Sequence, residues 1–230
     1  MDLEKDVDQL RDLTARQLWI ALAAAYQALA ADEAKIRGLW DMVAGGEART
    51  EELEGEIERL RQLVGIDPLT KALNRYLIGE ALEEAVAFCR RLDLPLSVLF
   101  LDIDDFRKVN NNVEHGGHQA GDAVLMQLVE RLKETLRRYD KIGRYGGEEF
   151  IIVLQGVDCE NAVLVAERIR SIIAEKPFEF DDHQISVTVS IGVAERQTSE
   201  MAFSLIGAAD RAMLLAKRAG KNRVVSDGRL

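Results

Sequence analysis

The stretch RYGGEEF, residues 144–150, decides the fold of this chain, because two glycines and two acids precede an apolar run. This order predicts a β-hairpin whose turn is Gly146-Gly147 and whose second strand is buried. Adjacent glycines allow positive φ and let a bulky ligand approach the backbone closely. Glu148 and Glu149 then lie at the mouth of the hairpin, where burial of their charge requires a partner cation. Alone, the same pattern also fits an ordinary hairpin with solvated acids.

The composition of the 230-residue chain is that of a globular protein, with 47% hydrophobic residues and a mean hydropathy of -0.10. The apolar runs are too short to span a bilayer and no signal peptide precedes them, so we expect no membrane segment. Cys89 and Cys159 lack metal-ligand spacing, which fits a reducing cytoplasm. The net charge of -10 argues against a nucleic-acid binder. This net charge does not exclude an anionic nucleotide that is bound through a metal and a few local cations.

The chain divides near Gly65 into two predicted domains, residues 1–64 and 65–230. The first is predicted to be an α-helical hairpin broken at Gly45-Gly46. Its second helix carries an apolar seam at coiled-coil spacing, made of Leu53, Ile57, Leu60 and Val64. We interpret this segment as a dimerisation module that pairs with a second copy. The alternative is a monomeric hairpin packed on the rest of the chain.

In the second domain, helices and strands alternate around the single hairpin, which predicts an α/β sandwich with a mixed sheet. A first helix is expected to end at Arg91. The further predicted helices cover 106–111, 122–138, 161–174 and 202–219. Besides the two hairpin strands, the predicted strands cover 96–101, 185–193 and 223–225.

A second acidic site lies at Asp102, where the buried strand 96–101 ends. Carboxylates at a strand end, beside carboxylates on a neighbouring hairpin turn, form a hard-oxygen pocket suited to Mg²⁺. This ion keeps waters and substrate phosphates as its other ligands, so the pocket predicts phosphoryl chemistry. The alternative is that Asp102 and Asp104 cap the following helix.

Several motifs, in order along residues 67–226, resemble one family. RYGGEEF is similar to the signature of the GGDEF family, the diguanylate cyclases, in its Glu-Glu variant. The further matching motifs are DPLT…NR at 67–75, LDIDDF at 101–106, GHQAGD at 117–122, VSIGVA at 189–194 and AKRAGKNRV at 216–224. The resemblance implies an α/β (α+β) palm-like fold with a mixed, mainly antiparallel central sheet flanked by helices. It also implies condensation of two GTP into cyclic di-GMP and pyrophosphate, with one active site on each of two facing subunits.

The resemblance also implies a metal site for Mg²⁺ or Mn²⁺. Asp102, the Ile103 carbonyl and Glu148 would hold the metal, and Glu149 would be a further ligand or a base. The metal would polarise the α-phosphate and help a 3′-hydroxyl to attack it in line.

Substrate contacts follow from the same motifs. Asn110 and Asp122 would read the guanine edge, and Gly146 and Gly147 would lie against the nucleotide. The terminal phosphates would be bound by the turn at Phe106 and Arg107 and by Lys217 and Lys221. The alternative for the two lysines is a solvated helix end that complements the helix dipole.

The sequence departs from the family pattern at several positions. Lys71 stands where the family usually has glycine, and Ala72 where it has leucine. Arg107 replaces the commoner lysine and Lys221 the commoner arginine, which keeps the charge but changes the geometry. The largest departure is at 110–116, where the usual spacing between the guanine-reading asparagine and the Gly-His pair is stretched by three residues.

A product site is predicted upstream of the hairpin. Arg137 and Asp140 match the inhibitory RxxD pattern of the family, and Arg168 matches the secondary arginine of that site. An arginine fork suits guanine edges and phosphates. Without the family context, a helix-end salt bridge would explain the same residues.

Together these observations predict an active diguanylate cyclase domain joined to a helical dimerisation segment. The expected partners are GTP, cyclic di-GMP as product and inhibitor, and a second copy of the chain. The main rival is a catalytically inactive module that binds cyclic di-GMP or GTP, and the retained Asp102, Glu148 and Glu149 argue against it. A third reading makes the N-terminal segment an interaction or sensory module with the cyclase as its output.

Overall fold

The computed structural model describes residues 65–113, 116–197 and 201–228. The predicted N-terminal hairpin, residues 1–64, lies outside the described residues, so its dimer seam stays a prediction. Within the described part, no helix is both long enough and apolar enough to cross a bilayer.

A five-stranded sheet forms the centre of the domain, and a two-stranded hairpin lies apart from it. In the described residues, the strands are β1 (Leu96–Ile103), β2 (Lys141–Arg144), β3 (Glu149–Gln155), β4 (Phe178–Phe180), β5 (His183–Ile185), β6 (Val189–Glu195) and β7 (Val224–Ser226). The order in the large sheet is β2-β3-β1-β6-β7. Its β6–β7 pair is parallel and its other pairs are antiparallel. The predicted mixed, mainly antiparallel sheet is confirmed.

Helices cover both faces of this sheet. In the described part of the chain they are α1 (Arg75–Leu92), α2 (Phe106–Asn111), α3 (Gly117–Thr135), α4 (Cys159–Glu175) and α5 (Ala202–Arg218). Side chains alternate along β1, so Leu99 and Leu101 pack in one core with α3 and α4. Val98 and Phe100 pack in a second core with α1 and α5. Because both faces are covered, every position of β1 is buried.

Local signals fix the starts of two helices. The Asn74 side chain accepts a hydrogen bond from the Leu77 N–H, and Asp158 accepts one from the Asn161 N–H, so each caps its helix. The start of α3, in contrast, lies five residues before the predicted Asp122. The prediction was wrong because glycine is a poor helix former, and two glycines stand in the first turns of α3.

The predicted strand over 185–193 is also wrong, because it is divided between β5 and β6. Thr188 lies in the break: its carbonyl accepts the Asp104 N–H at 2.8 Å, and its hydroxyl donates to the Asp104 carboxylate at 2.7 Å. β5 pairs with β4 instead of joining the large sheet. Val187 remains buried within the break, which explains why the alternation continued through it.

Candidate active site

The predicted acidic residues meet at one end of the sheet. β1 and β3 run antiparallel with Asp102 opposite Glu149. The Ile103 N–H donates to the Glu148 carbonyl oxygen at 3.3 Å. Asp102 is 3% exposed, whereas Glu148 and Glu149 are half-buried. The strand end and the hairpin turn therefore bring Asp102, Ile103, Glu148 and Glu149 together.

The turn of the hairpin differs from the one that the glycines suggested. The N–H groups of Tyr145 and Gly146 both donate to the Glu149 carbonyl oxygen, at 2.8 and 3.3 Å. Neither Gly146 nor Gly147 has a positive φ, so the left-handed backbone expected from the pair is not used. A Cβ on Gly146 would lie 2.3 Å from the Glu149 carboxylate oxygen Oε2. The missing side chain of Gly146 thus makes room for the carboxylate of Glu149.

Arg144 stabilises this turn, although sequence reasoning gave it no role. Its Nε and Nη2 both donate to the Gly147 carbonyl oxygen, at 3.1 and 2.8 Å. The available signal was its position, since an arginine two residues before a Gly-Gly turn can reach the carbonyl groups of that turn.

Lys217 reaches from α5 into the acidic site. Its Nζ lies 2.6 Å from Asp102 Oδ2, whereas Asp102 Oδ1 is buried and has no hydrogen-bond partner. Burial raises the pKa of Asp102 to about 6; the bond from Lys217 opposes this rise, and Glu148 and Glu149 add to it. Burial also raises the pKa of Glu148, again against the charge of Lys217. The site therefore concentrates negative charge, and the Lys217 ammonium group balances part of it.

These residues fit a divalent cation. In the described residues, no three His, Cys, Asp or Glu side chains are already grouped to hold a metal. The predicted ligands include a backbone carbonyl, that of Ile103, and the unpaired Asp102 Oδ1 is the kind of hard anionic oxygen that Mg²⁺ and Mn²⁺ prefer. Lys217 provides positive charge at Asp102 Oδ2, so its ammonium group would compete electrostatically with a metal bound at Oδ1.

The second predicted lysine pairs with the next acid along the chain. Lys221 Nζ lies 2.8 Å from Asp105 Oδ1, and this hydrogen bond is the main cause of the lowered pKa of Asp105. Asp105 precedes α2 with a left-handed φ of 55° and makes no capping bond with its side chain. After it, Phe106 is buried and Arg107 is exposed. Three of the four predicted phosphate-binding residues, Phe106, Arg107 and Lys221, therefore lie at the start of α2, and Lys217 lies at Asp102.

Asp104 does not cap α2, which corrects the alternative raised from the sequence. It is 6% exposed, and its carboxylate accepts hydrogen bonds from the hydroxyls of Thr188 and Ser190 at 2.7 and 2.6 Å. The Asn222 N–H donates to the same carboxylate at 2.9 Å. Asp104 thus joins the end of β1 to β6 and to the turn after α5. The alternation of β1 did not reveal this role, because its partners are distant in sequence.

The two predicted guanine-reading residues lie where α2 meets α3. A Cβ on Gly121 would stand 2.0 Å from the Asn110 side-chain oxygen, so Asn110 packs directly over that glycine. Asp122 is the next residue and is exposed. Residues 114 and 115 of the stretched connection lie outside the described residues. The structure therefore brings Asn110 against the helix that carries Asp122.

The three predicted product-site residues line one cavity. It has a volume of about 500 Å³ and lies between the C-terminal end of α3 and α4, with Arg137, Asp140 and Arg168 in its lining. The Arg137 N–H donates to Asp140 Oδ2 at 2.8 Å, and Arg168 Nη2 donates to the Thr135 carbonyl at 2.7 Å. Burial raises the pKa of Asp140, against the two arginine charges. A separate cavity of about 410 Å³ between α1 and β2 shares Asp140 but is not lined by Asp102, Glu148 or Glu149.

Comparison with known sequences relates this chain to one protein family. A family model described as diguanylate cyclase, GGDEF domain, matches residues 64–223. Diguanylate cyclase DgcP of Pseudomonas aeruginosa is 35% identical over 190 residues, which cover 83% of this chain and 28% of DgcP. The chain therefore spans less than a third of the length of that relative.

Solved structures share the fold. One contains the coiled coil and GGDEF domain of DgcB from Caulobacter crescentus in complex with c-di-GMP. Its TM-score is 0.67 at 28% identity, over 82% of this chain and 98% of that one. Another is the active GGEEF domain of a diguanylate cyclase from Vibrio cholerae. Its TM-score is 0.62 at 33% identity, over 68% of this chain and 98% of that one.

Proposed function

The chain belongs to the GGDEF-domain diguanylate cyclase family, and from this premise we propose that it is an active cyclase that condenses two GTP into cyclic di-GMP and two pyrophosphates. The proposal rests chiefly on one observation. A buried carboxylate with an unpaired oxygen, Asp102, lies against Glu148 and Glu149 and within reach of a lysine. An inactive binding module would have no need of this costly set of charges.

Three groups would hold the divalent ion: the carboxylates of Asp102 and Glu148 and the carbonyl of Ile103. When bound, Mg²⁺ or Mn²⁺ would supply Lewis-acid stabilisation of the charge that develops on the α-phosphate. Glu149 would be a further ligand or would accept the proton of the attacking 3′-hydroxyl. Each attack forms a P–O bond at the α-phosphate of the other GTP and breaks the bond to its pyrophosphate, and two attacks close the ring.

Binding of GTP is assigned to side chains around the carboxylates. Asn110 and Asp122 would pair with the guanine edge through an amide and a carboxylate. Lys217 and Lys221 would exchange their present partners, Asp102 and Asp105, for the phosphates. In the structure Lys217 lies 2.6 Å from its acid and Lys221 lies 2.8 Å from its acid. Gly146 and Gly147, together with the turn at Phe106 and Arg107, would border the nucleotide.

Feedback and assembly complete the proposal. The cavity lined by Arg137, Asp140 and Arg168 would bind cyclic di-GMP as an inhibitor, since two guanidinium groups suit its guanines and phosphates. The DgcB structure, which contains c-di-GMP, supports this assignment of ligand class. Because each domain would hold one GTP, the reaction needs two domains that face each other. We assign the pairing to a homodimer through residues 1–64.

The test is direct: purified protein is incubated with GTP and Mg²⁺, and the product is identified by mass spectrometry. Cyclic di-GMP with pyrophosphate supports the proposal. Tight binding of cyclic di-GMP or GTP without any turnover would instead identify a receptor.

A further inference from the structure

The turn after α5 has an unusual backbone. Lys221 and Asn222 are consecutive residues other than glycine, and both have positive φ, 62° and 45°. A left-handed conformation is unfavourable for a residue with a Cβ, and asparagine tolerates it better than lysine does. It persists only where the surrounding structure holds it, and such strain is often found at functional sites.

Two contacts from different parts of the fold hold this turn. The Asn222 N–H donates to Asp104 Oδ2 at 2.9 Å, and Asp104 is itself fixed to the start of β6. On the other side, Arg170 Nη1 of α4 donates to the Asn222 side-chain oxygen at 2.9 Å. Arg170 is in turn oriented by an ion pair of 2.7 Å with Glu167. The backbone and the side chain of Asn222 are therefore both anchored.

The consequence falls on Lys221. Its N–H donates to the Ala216 carbonyl at 3.1 Å, while its side chain crosses to Asp105 at 2.8 Å, beside the start of α2. The backbone conformation of Lys221 sets the direction of its own side chain. If the turn lost its anchors and Lys221 left the left-handed region, that direction would no longer be fixed. The anchors thus set where this ammonium group lies relative to the acidic site.

We propose that Asp104 and Arg170 are positioning residues, which act through Asn222 to aim Lys221 at the substrate phosphates. The inference rests on the proposed function, since it takes GTP as the ligand. It adds two residues outside the predicted metal-binding and substrate-binding sets, and it gives a reason for the burial of the Asp104 side chain.

A double-mutant cycle tests the inference, with Arg170→Gln and Lys221→Ala made singly and together. The readout is the dissociation constant of a non-hydrolysable GTP analogue with Mg²⁺, measured by calorimetry, alongside the thermal unfolding of each variant. Arg170 is preferred to Asp104 for this test because its side chain is partly exposed, whereas Asp104 is a buried carboxylate that accepts three hydrogen bonds. Arg218→Gln is the matched control. It also replaces an arginine by glutamine, and it removes an exposed positive charge from the end of α5 that precedes Lys221.

Arg170→Gln should weaken analogue binding about fivefold, which corresponds to the net contribution of one typical hydrogen bond, about 1 kcal/mol. In the Lys221→Ala background the same change should alter binding less than about twofold, because the lysine through which Arg170 acts is gone. Arg218→Gln should bind like the wild type. If Arg170→Gln weakens binding equally in both backgrounds, or no more than Arg218→Gln does, the inference is wrong. A wild type that does not bind the analogue contradicts the proposed function, and the inference with it.

Discussion

Arg144 and Asp67 form a charged contact that joins the start of the domain to its acidic hairpin. Arg144 Nη1 lies 3.2 Å from Asp67 Oδ1 and 3.3 Å from Oδ2, while the same guanidinium holds the Gly147 carbonyl. Burial opposes ionisation of Asp67, but hydrogen bonds from Thr70 and from Arg144 keep its pKa below the ordinary value. One side chain therefore fixes the DPLT turn and the turn before Glu148 relative to each other.

Arg144→Lys should separate these two contacts. A lysine keeps the charge but cannot donate to Asp67 and to Gly147 in the same fork geometry. We expect kcat to fall about tenfold with KM for GTP nearly unchanged, because the hairpin that carries Glu148 and Glu149 loses its support. Steady-state kinetics measure both constants. Lys141→Ala, an exposed cation on the same strand, is the control, and an equal effect of the two variants would rule out a positioning role for Arg144.

Lys217→Met should tighten metal binding in the absence of nucleotide. The ammonium group at 2.6 Å from Asp102 competes with a cation for that carboxylate, so its removal exposes the ligand. We expect Mn²⁺ affinity to rise about tenfold, or about 1.4 kcal/mol. Electron paramagnetic resonance of free Mn²⁺ provides the measurement, above the pKa of about 6 that burial gives Asp102.

Lys221→Met is the matched control for this result. It removes the same charge from the same region, but its ammonium contacts Asp105 and not Asp102. Its Mn²⁺ affinity should change less than about threefold, since only a longer-range repulsion is removed. Equal tightening in both variants would mean that the contact between Lys217 and Asp102 does not limit metal binding.

Arg137→Ala should relieve product inhibition without slowing the initial rate. Arg137 lines the 500 Å³ cavity, on the side of the fold away from Asp102, and removing its guanidinium should weaken cyclic di-GMP binding there at least about tenfold. Progress curves with added cyclic di-GMP report the change. Arg138→Ala serves as the control, because this neighbouring arginine is exposed and does not line the cavity. Unaltered inhibition in Arg137→Ala would show that the product acts elsewhere.

Lys71→Gly should stabilise the domain. Lys71 has a φ of 57°, so a residue with a Cβ occupies a left-handed position, one at which the family resemblance implies glycine. Relief of this strain is partly offset by the greater freedom of glycine in the unfolded chain, which leaves about 1 kcal/mol of net stabilisation. Thermal unfolding should shift upward by about 3 °C. Lys71→Ala should bring no such gain, and a similar shift in both variants would assign the effect to the lost side chain.

Much of the fold could be predicted because its signals are local. The buried strand before Asp102, the hairpin at 144–154 and the helices on either side follow from apolar patterns and turn residues. One error arose where a distant group decides the local structure, because Thr188 interrupts a strand by binding Asp104. The other arose from local propensity, since α3 begins before Asp122 although glycines stand in its first turns.

In the candidate site, too, local motifs could be read from the sequence and contacts between distant residues could not. Glu148, Glu149, Asp102 and Lys217 could be predicted from motifs that resemble a family, and the structure places these four side chains near one another. The contacts of Arg170 with Asn222, and of Asp67 with Arg144, join residues separated by 52 and 77 positions. No periodicity or spacing in one sequence reports such a pair. Their roles could be inferred only from the folded chain.

The most direct test of the central claim compares the wild type with Glu149→Gln, incubated with GTP and Mg²⁺ and followed by mass spectrometry. The wild type should form cyclic di-GMP and pyrophosphate. Glu149→Gln should form neither, while binding a non-hydrolysable GTP analogue within about threefold of the wild type, because the amide fills the same space but cannot accept a proton or bind a metal strongly. Absence of cyclic di-GMP from the wild-type reaction, or equal amounts from both proteins, would contradict the account.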